Sequence, residues 1–246
     1  MNFIEKWFCD RKPSGGLLLL IDPDRGAPER LADMAEKGVS AGASAVLVGS
    51  SILLGDGFER CVREVRGEID APVFLFPGNG HQITLEADGI LFLTLISGRN
   101  PRWLIEEQVE SAPKIKAVGL PSMATGYILI ESGKVTAVQF MSATVPIPRN
   151  KPDIASAHAM AGELLGLKAI FLEAGSGAEN PVPEAIVSAV RDATDLPLIV
   201  GGGIRTVESA QRLVSAGADF IVVGTHFEQT GDTSLIEGIS RVIRDK

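Results

Sequence analysis

The sequence contains few aromatic residues, few cysteines and no long apolar run. Phe, Trp and Tyr make up 5% of the 246 residues, and the two cysteines, Cys9 and Cys61, lie in unrelated segments. Two isolated cysteines exclude both a disulfide framework and a CxxC metal pair, which favours a reducing cytoplasm as the location. The longest apolar run, "GLLLLI", is far shorter than a membrane span, which needs roughly 18 residues or more.

Clusters of basic residues are also missing. The formal net charge is −8, which excludes the electrostatic footprint of a nucleic-acid-binding protein, so an anionic ligand would have to be bound by local groups. The first residues, "MNFIEKWFCDRKPSGG", lack the pattern of a signal peptide. Their apolar spacing predicts a short amphipathic helix that would cover one end of a barrel or rest on a membrane surface, and the first use is favoured.

Glycine and aliphatic residues, by contrast, are abundant. The chain has 27 glycines and is 45% hydrophobic, which is typical of buried parallel strands joined by tight turns in a single domain, residues 1–246. Stretches with helical period alternate with short aliphatic runs that predict strands at residues 17–21, 45–48, 73–76, 90–95, 127–130, 169–172, 198–200 and 220–223. This pattern predicts an α/β fold, a (β/α)8 TIM barrel, with a doubly wound open sheet as the alternative.

Two segments depart from regular alternation. Between the third and fourth strands, "PGNGHQITLEADG" is too polar and broken for a helix, so one outer helix of the barrel is predicted to be replaced by a loop. After the fifth strand, the segment "TGYILIESGKVTAVQFMSATVPIPRNKP" predicts a hairpin that extends beyond the barrel, followed by a proline-rich loop.

Glycine-rich turns follow the last two predicted strands. Gly201 to Gly203 come directly after a strand and precede Thr206, a predicted helix N-cap, while Gly224 and Thr225 follow the next strand. Glycines let backbone N–H groups approach an anion, and paired turns at the ends of strands seven and eight are the recurrent phosphate site of this architecture. The alternative is that the glycines only permit tight turns, but their position on adjacent strands favours phosphate.

The motif "LEAGSGA" adds a third turn and a carboxylate. Gly175, Ser176 and Gly177 can supply N–H donors and a hydroxyl, and Glu173 ends the preceding strand. A carboxylate beside a bound phosphate could act as a general base on a neighbouring hydroxyl. A salt bridge in the mouth of the barrel is an equally good interpretation of Glu173.

Carboxylates also follow the first strand, in "LIDPD". Asp22, with Ser51 after the second strand, could bind Mg²⁺, which prefers oxygen ligands and bridges to substrate phosphates. The alternative is that Asp22 or Asp24 caps the helix that begins near Pro28, and this alternative is stronger for Asp24. The histidines have no metal-ligand spacing, and no Ser-His-Asp or Cys-His arrangement can be argued.

The chain resembles the geranylgeranylglyceryl phosphate synthase family, also called the PcrB-like prenyltransferases. The resemblance covers essentially the whole length and rests on the ordered motifs "LIDPD", "FPGN", "LISGRNP", "TGYILIESGK", "PIPRNKPDIA", "LEAGSGA", "VGGGI" and "VVGT". "VGGGI" alone would be shared with many phosphate-binding barrels, whereas the set is highly specific. The form is similar to the second group of the family, which carries the hairpin and the "PIPR" loop.

The resemblance implies a homo-oligomeric, Mg²⁺-dependent TIM barrel that transfers a polyprenyl group, expected to be geranylgeranyl, from its diphosphate to the C3 hydroxyl of sn-glycerol 1-phosphate. It implies Asp22 and Ser51 as Mg²⁺ ligands and Glu173 as the base. The substrate contacts that it implies are Phe171, Leu172, Glu173, Ala174, Gly175, Ser176, Gly177, Gly202, Gly203, Gly224 and Thr225. Trp103 is a candidate for limiting the length of the prenyl chain, with ordinary packing as the alternative.

The sequence departs from the family pattern at three places. Phe171 stands where the family has Tyr, "EEQVE" replaces "GQHVE", and "SATVPIP" replaces "SNTQPIP". These differences keep two alternatives open: another phosphorylated three-carbon acceptor such as 3-phosphoglycerate, and a barrel that only binds ligands. A phosphosugar isomerase or aldolase-like barrel is a third alternative, because it would share the phosphate loops. No lysine follows a strand in a position suited to Schiff-base chemistry, and the presence of both Asp22 and Glu173 argues against a binding-only barrel.

Overall fold

Eight parallel strands close into a barrel in the order β1 to β8. The computed structural model describes residues 1–246, and its strands are β1 (Gly16–Ile21), β2 (Ala45–Val48), β3 (Val73–Leu75), β4 (Gly89–Thr94), β5 (Ser122–Leu129), β6 (Ala169–Glu173), β7 (Leu198–Gly201) and β8 (Phe220–Val223). The last strand pairs with the first, with Leu19 opposite Val223. The predicted TIM barrel is confirmed, and the doubly wound alternative is wrong.

Helices surround the barrel. They are α1 (Phe3–Arg11), α2 (Pro28–Ser40), α3 (Phe58–Glu68), α4 (Glu107–Val118), α5 (Ala137–Ser142), α6 (Pro152–Leu164), α7 (Glu184–Ala193), α8 (Val207–Ser215), α9 (Thr225–Thr230) and α10 (Thr233–Arg244). A π-helical turn at Arg102–Glu106 precedes α4. Thr206 caps α8 as predicted, because its side chain accepts a hydrogen bond from the N–H of Ser209. None of these helices has both the length and the apolar character needed to cross a bilayer.

The core has two layers because successive side chains of a strand point to opposite faces. Leu18 and Leu47 point into the barrel, whereas Leu17, Leu19 and Val46 pack between the strands and the outer helices. Both faces of each strand are therefore buried, which explains why the strands are uniformly apolar in sequence rather than alternating.

Helix α1 covers the end of the barrel opposite the carboxyl ends of the strands. Ile4 and Phe8 are completely buried, and the Trp7 ring lies 5.3 Å from the Phe74 ring and 5.9 Å from the Phe220 ring. Complete burial of a side chain such as Phe8 contributes about 1.5–3 kcal/mol. The prediction that this segment covers the barrel is confirmed.

No helix lies between β3 and β4, as predicted. Residues 76–88 form a loop instead, which we call the β3–β4 loop. Near its end, the Asp88 carboxylate accepts hydrogen bonds from the N–H of Val73, at 2.9 Å, and from Arg66 of α3, at 3.0 Å. The end of the loop is thereby fixed to β3 and α3, the elements that precede the gap, and the flank of the barrel stays open next to α4.

The hairpin predicted after β5 is wrong. Strand β5 begins at Ser122, earlier than expected, and the segment beyond it forms the short helix α5. The one bridge in this region joins Ile130 to Ile147 in parallel. The physical reason is the spacing of Ala137, Val138 and Met141, which places these side chains on one face of a helix toward the cavity described below.

Candidate active site

A cavity of about 510 Å³ lies at the carboxyl ends of the strands and extends sideways between the β3–β4 loop and α4. Its volume is within the range of small-molecule sites, which hold about 300–1,000 Å³. One part is polar and is lined by Asp22, Ser51, Glu173, Ser176, Gly177, Gly202, Gly203, Gly224 and Thr225. The other part is an apolar arm, lined by Ile83, Ile90, Phe92, Leu93, Trp103 and Ile115.

The loops after β6, β7 and β8 form a continuous polar wall. The hydroxyls of Ser176 and Thr225 lie 2.9 Å apart and join the first loop to the third. Gly202 has φ +85°, and a Cβ built on it would lie 2.4 Å from Oε1 of Glu173. Only glycine therefore fits at this position, which brings the β7 loop into contact with the β6 loop.

This wall presents backbone donors to the cavity. The N–H groups of Ser176, Gly177, Gly203 and Thr225 have no acceptor within the protein. Unpaired N–H groups that converge on one cavity form an anion-binding concavity of the kind that holds phosphate. An acidic protein can bind an anionic ligand here because the donors belong to the backbone.

Glu173 is 5% exposed at the end of β6 and faces the cavity. Its Oε1 accepts a hydrogen bond from the N–H of Gly175 at 2.5 Å. Burial raises the pKa of Glu173 from 4.5 to about 7, although hydrogen bonds from Gly175 and Ala174 oppose the shift. The carboxylate has no ion pair, so the salt-bridge interpretation is wrong, and a pKa near neutrality suits a group that exchanges protons.

Tyr127 lies beside this carboxylate, on the neighbouring strand. It is opposite Phe171 in the β5–β6 register, and the two rings are 5.4 Å apart. Phe76 stacks on Phe171 at 5.1 Å. Burial, reinforced by the charge of Glu173, raises the pKa of the Tyr127 phenol well above 10. Because its pKa is raised, the phenol remains protonated. Tyr127 also lines the cavity, so this hydrogen-bond donor is available near Glu173.

Asp22 lines the same cavity as Glu173, at the end of β1. One oxygen accepts from the N–H of Asp24 at 3.1 Å, and the other is 3.4 Å from Arg25. The N–H of Asp22 itself donates to Glu228 at 2.8 Å, which fixes the turn after β1. Burial raises the pKa of Glu228 above its ordinary value.

The donor set around Asp22 fits Mg²⁺ and does not fit a transition metal. Asp22 and the Ser51 hydroxyl, which has no hydrogen-bond partner, line the same cavity, and no group of three or more His, Cys, Asp or Glu side chains is present. Few protein oxygens are expected where Mg²⁺ keeps several waters and takes the remaining ligands from substrate phosphates.

Neither aspartate caps α2. That helix begins at Pro28 after Ala27, and no side chain caps it. The Asp24 carboxylate instead accepts hydrogen bonds from the N–H groups of Leu54, at 2.7 Å, and Gly55, at 3.1 Å. The capping alternative is wrong, because Asp24 ties the loop after β1 to the loop after β2.

Some of the predicted contact residues do not reach the cavity. Phe171, Leu172 and Ala174 are almost completely buried, Gly175 packs against Thr136, and none of the four lines the cavity. Leu172 belongs to the outer core layer and Phe171 to the inner one. Their structural contribution is to support the β6 loop, and direct contact with substrate stays a prediction for them.

Several cavity residues were missed by sequence reasoning. Tyr127 is the single tyrosine of the chain, and its place on a strand next to Phe171 was a usable signal. Lys134 and Arg205 also line the cavity, but each follows a turn whose direction the sequence does not reveal. His158 lies away from the cavity, on α6, where its Nδ1 is 2.7 Å from the carbonyl oxygen of Ile154.

Comparison with known proteins places these features in a family. The model of the PcrB family matches residues 8–242. The geranylgeranylglyceryl phosphate synthase of Chitinophaga pinensis is 44% identical over 244 residues, covering 98% of this chain and 96% of that protein. The enzyme of the same name from Methanothrix thermoacetophila is 46% identical over 228 residues, covering 92% of this chain and 89% of that protein.

Solved structures agree. The (S)-3-O-geranylgeranylglyceryl phosphate synthase from Thermoplasma acidophilum, in complex with its substrate sn-glycerol-1-phosphate, has a TM-score of 0.95 at 29% identity, and each chain is covered completely. A thiamine phosphate pyrophosphorylase from Pyrococcus furiosus, at a TM-score of 0.63 and 14% identity, covers 95% of this chain and 98% of its own and shares the fold alone. By motif, fold and similarity over nearly its whole length, the chain belongs to the PcrB family.

Proposed function

We propose that the protein transfers a prenyl group, geranylgeranyl by similarity to its named relatives, to the C3 hydroxyl of sn-glycerol 1-phosphate. The observation that carries the proposal is a single cavity that joins an anion-binding wall, a buried carboxylate and an apolar arm. In the reaction, the bond between the prenyl carbon and the diphosphate oxygen breaks and a carbon–oxygen ether bond forms. Diphosphate leaves with the bonding electrons, and the hydroxyl proton passes to the protein.

The acceptor binds at the wall formed by the loops after β6, β7 and β8. The N–H groups of Ser176, Gly177, Gly203 and Thr225 hold the phosphate, which orients the rest of the molecule toward Glu173. With a pKa of about 7, Glu173 is ionised for a substantial fraction of the time at neutral pH and accepts the proton from the C3 hydroxyl. The protonated Tyr127 phenol lines the same cavity and is available as a hydrogen-bond donor to the bound acceptor.

The donor binds with its diphosphate near Asp22 and Ser51 and its chain in the apolar arm. The residues that would hold Mg²⁺ are Asp22 and Ser51, and bound Mg²⁺ would neutralise charge on the leaving diphosphate. The arm excludes water from the allylic carbon where positive charge develops. Trp103 lies in the wall of this arm, which supports a role in limiting chain length.

Product analysis by mass spectrometry tests this function. Purified protein, Mg²⁺ and geranylgeranyl diphosphate are incubated separately with sn-glycerol 1-phosphate, with its sn-3 enantiomer and with 3-phosphoglycerate. We expect an ether product with sn-glycerol 1-phosphate alone, and none after Mg²⁺ is removed with a chelator. Product with 3-phosphoglycerate alone would show that the cavity takes a different phosphorylated acceptor. Absence of product in every tube would contradict the transferase assignment.

We also infer a homo-oligomer, supported by an apolar face on α6 and the residue that follows it. Leu164 and Leu165 are 90% and 77% exposed, and Ile154 and Met160 are exposed on the same segment. Large exposed apolar patches mark interaction surfaces. Light scattering after gel filtration measures the mass, and Leu164→Glu should lower it to that of a smaller species. A monomer in the unmodified protein would contradict the inference.

Peripheral membrane contact is a separate proposal that concerns the mouth of the cavity. The exposed fraction is between 66% and 85% for Phe140 on α5 and for three residues of the surrounding loops, Leu54, Val135 and Val145, where a lipid-like donor would enter. Flotation with neutral phosphatidylcholine vesicles tests the contact, since a chain of net charge −8 has no general attraction to anionic lipids. We expect binding that Phe140→Ser weakens, and the protein would remain at the bottom of the gradient if the proposal were wrong.

A further inference from the structure

Gln82, in the β3–β4 loop, is a completely buried polar residue that the reaction itself does not use. Its side-chain amide makes two hydrogen bonds to one residue of the loop after β2. Oε1 accepts from the N–H of Ser50 at 3.0 Å, and Nε2 donates to the carbonyl of Ser50 at 2.7 Å. Both polar groups of that backbone residue are thereby satisfied by a single side chain, which fixes its orientation.

The two loops are in direct backbone contact around this pair. A Cβ built on Gly49 would lie 1.8 Å from the carbonyl oxygen of Phe76, and one built on Gly78 would lie 2.2 Å from the carbonyl oxygen of Ser50. Glycine at both positions permits this approach. The β3–β4 loop therefore packs directly against the backbone of residues 49–51, and the Gln82 side chain holds the two loops together through its hydrogen bonds to Ser50.

Ser51 is the next residue along the chain. Ser50 uses its own hydroxyl to donate to the carbonyl of Ile52 at 2.8 Å, so the turn is closed on both sides of Ser51. The Ser51 hydroxyl has no hydrogen-bond partner and lines the same cavity as Asp22, which follows the adjacent strand β1. Its direction is set by the backbone that Gln82 fixes.

The same loop is anchored at its other side to the wall of the apolar arm. The N–H of Gly80 donates to Oε2 of Glu107 at 3.0 Å. Glu107 is 7% exposed at the start of α4, lines the cavity, and forms an ion pair with Arg102 through its other oxygen. One short segment thus connects the arm, where the prenyl chain would lie, with the residue proposed to bind the cation.

We propose that Gln82 is a positioning residue that holds the Ser51 hydroxyl toward the divalent cation accompanying the prenyl diphosphate. This inference rests on the proposed function, and it adds a role for the loop that replaces the missing outer helix. A partner that orients a metal ligand typically changes metal affinity by about 10- to 100-fold when it is removed.

The test measures cation binding directly. Gln82→Met keeps the length of the side chain and removes its amide. Mn²⁺ is used in place of Mg²⁺ because free and bound Mn²⁺ are distinguished by electron paramagnetic resonance, and an unreactive geranylgeranyl thiolodiphosphate is present throughout. We expect the Kd for Mn²⁺ to rise about tenfold, with unchanged affinity for sn-glycerol 1-phosphate by calorimetry. Product formation should recover at high Mg²⁺.

A double-mutant cycle with Ser51→Ala separates this role from simple loop stability. If Gln82 acts through Ser51, Gln82→Met should weaken Mn²⁺ binding no further in the Ser51→Ala background. Gln211→Met, at an exposed position on α8, controls for the chemical change. Gln82→Asn, whose amide is one methylene too short, should reproduce the weaker Mn²⁺ binding even if the methionine variant does not fold.

Three results would overturn the inference. The first is an unchanged Kd for Mn²⁺ in the folded Gln82 variants, and the second is an equal loss of Mn²⁺ affinity in both backgrounds of the cycle. If Ser51→Ala alone leaves Mn²⁺ binding unchanged, then Ser51 is not a ligand and the inference is overturned with that assignment. Ether product from the unmodified protein would still support the transferase function in each of these cases.

Discussion

Glu173 should make the stability of the fold depend on pH. Its pKa is raised from 4.5 to about 7, chiefly by burial. Between these two values the folded protein binds more protons at this site than the unfolded chain does, so the free energy of unfolding falls as the pH rises. The stabilising contribution is complete below pH 4.5 and is lost as the pH rises through 7.

The size of this effect follows from the two pKa values. One pKa unit is worth about 1.4 kcal/mol, so the change between pH 4 and pH 8 is about 3 kcal/mol. Glu173→Gln removes the titration but keeps an oxygen that can accept from the N–H of Gly175. We therefore compare the free energy of unfolding of the variant with that of the unmodified protein. The difference between them should shift in favour of the variant by about 3 kcal/mol between pH 4 and pH 8.

Thermal unfolding of both proteins between pH 4 and pH 8 measures this difference. Other titrating groups cancel because the two chains differ at one residue. A change of about 3 kcal/mol in the free energy of unfolding corresponds to a change in Tm of roughly 6–12 °C in a protein of this size. A difference in Tm that stays constant across the range would refute a raised pKa for Glu173. The variant should also form no ether product, and normal turnover would show that Glu173 is not the base.

Three further changes test separate parts of the structure. Gly202→Ala places a Cβ atom 2.4 Å from Oε1 of Glu173, on a backbone in the left-handed conformation. The substitution should lower the free energy of unfolding by about 1–3 kcal/mol and weaken phosphate binding measured by calorimetry. Phe8→Ala should destabilise the fold by about 3–5 kcal/mol in thermal unfolding while kcat per folded molecule is unchanged; a lower kcat would link α1 to the site. Tyr127→Phe preserves ring packing and removes the phenol proposed to act as a donor near Glu173 during the reaction, so it should lower kcat about 10- to 100-fold; an unchanged kcat would contradict that role.

The barrel could be predicted because its signals are local. Each strand is a short aliphatic run and each ends at polar or glycine residues, so the eight units and their common carboxyl face follow from spacing alone. The glycines at 202 and 203 could be assigned to an anion-binding wall for the same reason, since a parallel barrel brings the ends of β6, β7 and β8 together. The gap before β4 was visible as a polar segment without helical period.

Features that depend on contacts between distant segments could not be predicted. Helix capping was the alternative considered for Asp24, but the nearby loop after β2 offers its carboxylate two N–H donors. Gln82 carried no signal, because its function depends on two loops reaching backbone contact. The segment after β5 was assigned to a hairpin because it resembles a second strand. The apolar side chains of Ala137, Val138 and Met141 are nevertheless spaced by three and four residues, and this spacing favours the helix α5. Burial, which sets the pKa of Glu173, is likewise a property of the folded chain.

Closure of the barrel also has a consequence for the order of events during synthesis. Helix α1 is synthesised before all eight strands, yet the ring of Phe8 packs 4.8 Å from that of Phe220, which lies on β8, the last strand of the barrel. The second edge of strand β1 likewise stays unpaired until β8 has been synthesised. The nascent chain therefore carries an uncovered aromatic helix and an open sheet edge until β8 has been synthesised, which makes the unfinished polypeptide, rather than the closed barrel, the form that most needs protection from aggregation.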